Sequence, residues 1–129
     1  MTYLPYIVFG ASMIIPLVQF TLLRRSRRME GKDSPVTNPE IDEKLSRHGQ
    51  VLLYFFTPLC DACQVMAPRI DRMVIKYDNI IKLNAKENKD LALSFGLVAT
   101  PTVILIKKGK IAKIVAGITS EKKLSALLE

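Results

Sequence analysis

Residues 51–64 read VLLYFFTPLCDACQ, and this stretch decides the fold of the chain. Its first six residues are apolar or aromatic, which predicts a buried β-strand, and a helical pattern follows from Gln64 to Lys76. Between the two lie Cys60 and Cys63, the two cysteines of the chain, spaced C-x-x-C. Unpaired N–H groups and the macrodipole at a helix start stabilise a thiolate and lower its pKa. The stretch therefore predicts a reactive dithiol at a strand-to-helix junction.

The patterns on either side predict the element order α-β-α-β-α-β-β-α after a linker. Strand, helix and strand in succession favour a right-handed crossover to a parallel neighbour, and Lys108-Gly109 predicts a hairpin turn. The predicted strands are Gln50 to Phe56, Ile80 to Asn84, Thr102 to Lys107 and Lys110 to Val115. The predicted helices begin at Asn38-Pro39, at Gln64, at Asn88 and at Ser120. These elements predict an α/β domain over residues 38–129.

Residues 1–23 contain no charged side chain. About 20 apolar residues in a helix span the hydrocarbon core of a bilayer, about 30 Å thick, so the segment predicts one N-terminal transmembrane helix. Tyr3 and Tyr6 stand where an interfacial aromatic belt would be. A cleaved signal peptide is the alternative, but the segment lacks a basic start, a shorter apolar core and a small-residue cleavage site.

Residues 24–37 form a predicted basic juxtamembrane segment and linker. They begin with RRSRR at 24–28, directly after the apolar segment. Arginines on one side of a span place that side in the cytoplasm, so we expect a single-pass membrane protein with its domain on the cytoplasmic side. A tract that binds nucleic acid is the alternative, and its position against the span disfavours it.

Charge and cysteine count exclude several classes of protein. The net charge of the chain is +7, but residues 24–33 carry +3 of it and residues 34–129 only +4. No basic patch interleaved with aromatics is present, so no nucleic-acid partner is expected. Two cysteines cannot form a disulfide scaffold. A zinc site needs four ligands, and beyond the cysteines one chain offers only His48, so only a dimer that shares two C-x-x-C pairs could complete such a site. No metal and no cofactor are expected.

The chain from Asn38 to Glu129 resembles thioredoxin. The features that carry the resemblance occur in the family's order: the Cys60/Cys63 dithiol, Ala67-Pro68, Lys82-Leu83-Asn84, Thr100-Pro101-Thr102, Lys107-Lys108-Gly109-Lys110 and Gly117. The resemblance implies a thioredoxin-like fold, with a central mixed sheet of four or five strands flanked by helices. The family's first strand has no clear counterpart, because Ser34-Pro35-Val36-Thr37 is short and contains a proline.

The resemblance also implies a mechanism. Cys60 would attack a disulfide of a protein substrate, and Cys63 would resolve the mixed disulfide. Pro101 would be a cis-proline packed against the dithiol, whereas a trans proline in a plain turn is the reading from sequence alone. The backbone of Thr100 would pair with the substrate strand. An electron-donating reductase would be the second partner.

Three residues are expected to tune the dithiol, and two of them, Asp61 and Tyr54, depart from the family's pattern. Asp61 follows Cys60, where a negative charge opposes the thiolate, although it also suits the start of a helix. Tyr54 occupies the position of the family's buried aspartate. Lys82 matches the lysine beside that aspartate, and either takes part in proton transfer or is a solvated strand residue. Thr100 departs as well, since thioredoxin usually has isoleucine there.

The sequence thus predicts a membrane-tethered thiol–disulfide oxidoreductase that reduces disulfides of a membrane-associated partner. The alternative is a non-catalytic adaptor that uses the thioredoxin fold to assemble with a partner at the membrane. Tyr54 in place of the aspartate, and Leu59 in place of the family's tryptophan, favour that alternative.

Overall fold

The computed structural model describes residues 3–28, 30–34 and 38–129, and gives five helices and four strands within them. The helices are α1 (Leu4–Arg27), α2 (Pro39–His48), α3 (Asp61–Lys76), α4 (Lys89–Ser94) and α5 (Glu121–Leu128). The strands are β1 (Gln50–Phe56), β2 (Ile80–Asn84), β3 (Thr102–Lys107) and β4 (Lys110–Ala116).

The strands form one mixed sheet in the order β2-β1-β3-β4. β1 runs parallel to β2 and antiparallel to β3, so Leu53 lies between Ile81 and Ile104. β3 and β4 form the antiparallel hairpin predicted at Lys108-Gly109. The prediction of an α/β fold with a mixed sheet is confirmed, with four strands in the described residues.

Helices cover both faces of the sheet because the side chains of β1 alternate between two buried cores. Val51, Leu53 and Phe55 join a core that includes Ile41 of α2 and Phe95 beyond α4. Leu52 and Tyr54 join a second core with residues of α3 and α5, among them Met66, Ile70 and Leu124. β1 is therefore apolar or aromatic from Val51 to Phe56, as a strand buried on both faces should be.

Local signals set most of the boundaries. Asn38 caps α2, and its side chain accepts a hydrogen bond from the Ile41 backbone N–H at 2.8 Å. Gly49 ends α2 in the left-handed conformation (φ 74°). α3 begins at Asp61, three residues before its apolar pattern does, because Cys60 takes the N-cap position. Asn88 stands at the start of α4 but makes no side-chain cap bond.

Part of the predicted linker lies along the free edge of β4. The Gly31 and Ser34 N–H groups donate to the Ile111 and Gly109 carbonyls, and the Ile111 N–H donates to the Lys32 carbonyl. The Glu30 carboxylate accepts from the Ile114 N–H at 3.0 Å. Residues 35–37 of the suspected first strand lie outside the described residues. The sequence predicted no such pairing, because polar residues at an edge carry no apolar periodicity.

Helix α1 exposes apolar side chains in every direction. Four successive residues, Tyr6, Ile7, Val8 and Phe9, are between 62% and 77% exposed, and each is turned about 100° from the one before it. Arg24 lies over the Phe20 ring, 4.3 Å from its centroid. Within the part of the chain that the structure describes, no helix is long and apolar enough to cross a membrane.

Candidate active site

The fold brings the two cysteines together at the carboxyl end of β1. Cys60 precedes α3 and Cys63 lies in its first turn, with their Cα atoms 5.1 Å apart and their Sγ atoms joined as a disulfide. This Cα separation is within the normal range for a disulfide. Cys60 is partly exposed and Cys63 is buried, so an incoming group meets Cys60 first.

The start of α3 supplies the electrostatics of the site. The Cys60 Sγ accepts a hydrogen bond from the Cys63 backbone N–H at 3.2 Å, which makes the sulfur itself the helix cap. Once the disulfide is reduced, a Cys60 thiolate keeps that donor and the positive end of the helix dipole. Asp61 is exposed in the same turn. That its negative charge opposes the Cys60 thiolate stays a prediction.

The loop before β3 lies against the dithiol. The Thr100–Pro101 peptide bond is cis, and Pro101 is buried. The Thr100 carbonyl oxygen is 3.5 Å from the Cys60 Sγ, and its hydroxyl is 3.3 Å from the Thr57 hydroxyl. Thr100 is itself partly exposed. Thr100, which is predicted to pair with the substrate strand, is therefore adjacent to the predicted nucleophile, and Pro101 directly follows it.

A cleft of about 220 Å³ lies on the Cys63 side of the dithiol. Tyr54, Cys63, Asp71 and Lys82 line it, together with Phe56, Thr57, Pro58, Gln64 and Ala67. Tyr54 and Lys82 are neighbours in the β1–β2 register. Lys82 is exposed and its Nζ is 2.8 Å from the Asp71 Oδ1. It is therefore both solvated and part of the cleft.

Tyr54 is buried, and its hydroxyl donates to the Cys63 carbonyl oxygen at 3.4 Å. Burial raises the pKa of Tyr54, and the nearby Asp71 carboxylate raises it further. The phenol therefore stays protonated at neutral pH. It ties β1 to the first turn of α3 and does not supply the negative charge that an aspartate would.

Asp71 is the one charged cleft residue that was not predicted from the sequence, because a single aspartate among the polar residues of α3 carries no motif. It is exposed, but it also faces the cleft. The available signal was spacing: Cys63, Ala67 and Asp71 are four residues apart and share one helix face.

His48 lies at the other end of β1, where its Nε2 is 3.2 Å from the Asp78 Oδ2. Hydrogen bonds from His48 and Lys44 hold the pKa of Asp78 below its usual range. Among the described residues, no three His, Cys, Asp or Glu side chains come close enough together to hold a metal ion.

The thioredoxin family model matches residues 33–129. Thioredoxin 1 of Nostoc sp. is 31% identical over 90 residues, which cover 67% of this chain and 84% of that protein. Thioredoxin-T of Drosophila melanogaster is 29% identical over 101 residues, and the match covers 74% of this chain but only 64% of that protein's length. Among solved structures, a mutant thioredoxin from Halobacterium salinarum NRC-1 has a TM-score of 0.65 at 28% identity, covering 77% of this chain and 94% of that chain.

Proposed function

The chain belongs to the thioredoxin family, and we propose that it reduces disulfides of a membrane-associated protein through Cys60 and Cys63. Family membership and the C-x-x-C pair support thiol–disulfide oxidoreductase activity. The observation that carries the proposal is the position of Cys60: its sulfur caps α3 and lies beside the partly exposed Thr100. This arrangement combines a stabilised thiolate with an adjacent backbone edge for a substrate strand.

The proposed reaction begins with attack of the Cys60 thiolate on a substrate disulfide. One substrate sulfur leaves as a thiolate and the other becomes bonded to Cys60. Cys63 then attacks the Cys60 sulfur, which releases the second substrate thiolate and forms the Cys60–Cys63 disulfide. The substrate gains two electrons and the chain loses two, so a reductase must reduce the pair again before the next cycle.

Reduction of insulin by the full chain in detergent, with dithiothreitol as the electron donor, tests this activity. We expect turnover by the wild-type chain and loss of it in Cys60→Ser and in Cys63→Ser. The Cys63→Ser variant is the sharper control, because it keeps the nucleophile and removes only the resolving thiol. A wild-type rate of insulin reduction no higher than that of Cys63→Ser would exclude oxidoreductase activity.

We further propose that residues 1–23 hold the chain at a membrane with its domain on the cytoplasmic side. The support is the uncharged sequence, the arginines that follow it, and the exposed apolar side chains on every side of α1. Basic residues beside a membrane segment are each stabilised by about 1 kcal/mol near anionic headgroups. A cytoplasmic dithiol would be kept reduced and would act as a reductant.

Flotation with phosphatidylserine-containing vesicles tests the attachment. We expect the full chain to float with the vesicles and a chain that begins at Glu30 to stay at the bottom of the gradient. Equal behaviour of the two chains would exclude attachment through residues 1–23. A chain that floats but does not reduce insulin would instead be the non-catalytic adaptor.

Labelling of intact cells with a membrane-impermeant thiol reagent tests the side of the membrane. We expect Cys60 to be labelled only after the cells are permeabilised. Rapid labelling without permeabilisation would place the domain outside the cytoplasm.

A further inference from the structure

Cys63 needs a proton acceptor if it is to resolve a mixed disulfide. A thiolate, not a thiol, attacks a disulfide, and Cys63 is 4% exposed. Its proton therefore cannot pass freely to bulk water in all directions. The open side of Cys63 is the cleft that it lines with Tyr54, Asp71 and Lys82.

The groups facing this cleft differ in what they can do with a proton. β1 contributes the Tyr54 phenol, which stays protonated at neutral pH. β2 contributes the Lys82 ammonium, which donates and does not accept. α3 contributes Gln64, which does not titrate, and the Asp71 carboxylate. Only the carboxylate is both charged and able to accept.

We propose that Asp71 accepts the proton of Cys63 through water in the cleft, and that Lys82 is a positioning residue for its carboxylate. This inference rests on the proposed oxidoreductase function and assigns one step of it. The cleft has room for several waters and offers them polar partners on three elements. The 2.8 Å contact between Lys82 and Asp71 holds the carboxylate beside the cleft.

The step conserves protons and electrons. The Cys63 thiol gives its proton to a cleft water, which passes a proton to the Asp71 carboxylate. The Cys63 sulfur bonds to the Cys60 sulfur, and the bond from Cys60 to the substrate sulfur breaks. The leaving substrate thiolate takes up a proton from solvent, and Asp71 returns its own to solvent.

The test is a rapid-mixing experiment on the reduced full chain in detergent with an excess of 5,5′-dithiobis(2-nitrobenzoate). Attack by Cys60 releases the first coloured thiolate and resolution by Cys63 releases the second. Both phases are followed across about pH 6 to 9, which brackets the ordinary thiol pKa. We expect Asp71→Asn to slow the second phase by about 100-fold near neutral pH and to leave the first phase unchanged. We expect the difference to shrink at the alkaline end, where Cys63 ionises without help.

Three variants separate proton transfer from a structural effect. Asp71→Glu should recover most of the second-phase rate, because it restores a carboxylate. Lys82→Met should slow that phase by a smaller factor, about two- to fivefold. Asp90→Asn makes the same chemical change on the exposed surface of α4 and should match the wild type.

A second phase in Asp71→Asn that equals the wild type at every pH would overturn the proposal. A slowing that is the same at every pH would also overturn it, since a lost proton acceptor must matter least at high pH. If the wild-type chain shows no second phase, the oxidoreductase function itself fails, and that result is distinct from the other two.

Discussion

Tyr54 shows how one residue joins the core to the site. Its ring packs in the core on the α3 side of the sheet and stacks on Phe56, with centroids 5.7 Å apart. Its hydroxyl reaches the Cys63 carbonyl at 3.4 Å. The sequence placed Tyr54 at the position of the family's aspartate, but the bond to α3 depends on how β1 and α3 pack, which the residue type does not reveal.

Tyr54→Phe tests this bond. The substitution keeps the ring and removes the donor, so we expect the free energy of unfolding to fall by about 1 kcal/mol at neutral pH. Urea denaturation followed by circular dichroism measures it. A variant as stable as the wild type would mean that the hydroxyl contributes nothing to stability.

The same variant carries a pH prediction. Burial raises the pKa of Tyr54 in the folded chain, whereas in the unfolded chain the phenol ionises near pH 10. Above about pH 10 the unfolded state therefore loses a proton that the folded state keeps, and the stability due to Tyr54 is lost as pH rises further. We expect wild-type stability to fall more steeply than that of Tyr54→Phe between about pH 9 and 11. Parallel curves would contradict this.

Helix α2 shows how much of an element is encoded locally. The sequence predicted that the helix begins at Asn38-Pro39, and the Asn38 side chain accepts the capping bond from the Ile41 N–H. Ile41 is fully buried against the sheet, so the cap also fixes where the helix begins relative to the core. Signals of this kind involve neighbours a few residues apart in the chain, and that is why sequence reveals them.

Asn38→Ala should lower the free energy of unfolding by about 1 kcal/mol, since the Ile41 N–H loses its acceptor. Asn38→Asp keeps an acceptor at the same position and is the matched control. We expect it to be as stable as the wild type in urea denaturation. An equal loss in both variants would show that the amide, and not the cap bond, matters.

Residues 30–34 form the element that sequence did not reveal. Their partners on β4 are about 80 residues further along the chain, so no local sequence pattern predicts this pairing. The same is true of Asp71, whose pairing with Lys82 depends on how α3 crosses β2. Strands and caps could be predicted, whereas contacts between distant polar residues required the structure.

Deletion of residues 30–34 should destabilise the domain. A chain that begins at residue 35 lacks three backbone hydrogen bonds present in a chain that begins at Glu30, and we expect it to be less stable by about 2–4 kcal/mol. It also leaves the β4 edge unpaired, so we expect more aggregation by light scattering. Glu30→Ala removes only the acceptor for Ile114 and should cost less than the deletion.

At the scale of the whole molecule, β1 couples the two cores. Leu52 and Leu53 are both fully buried and lie on opposite faces of the sheet. Because β1 packs in both cores, loss of the strand would disrupt both of them. We therefore expect the domain to unfold as one cooperative unit.

Leu52→Ala and Leu53→Ala should each lower the free energy of unfolding by about 2–5 kcal/mol. Leu93→Ala is the control, because Leu93 is 65% exposed and a surface change costs at most about 0.5 kcal/mol. Circular dichroism and the accessibility of reduced Cys63 to a thiol reagent should report the same urea midpoint. Different midpoints for the two probes would show that the cores unfold separately.

The pairing of residues 30–34 also determines which end of the sheet lies near α1, and therefore how far the dithiol is from that helix. These residues join the sheet beside the β3–β4 hairpin, whereas Cys60 lies at the opposite end of β3, next to Thr100. β3 has six residues, so about 20 Å separates the two ends. Only two residues separate the end of α1 at Arg27 from Glu30, so the link between the helix and the sheet is short. Under the membrane attachment that we propose, the dithiol would lie at the end of the sheet away from α1 and would meet disulfides that stand off from the membrane surface.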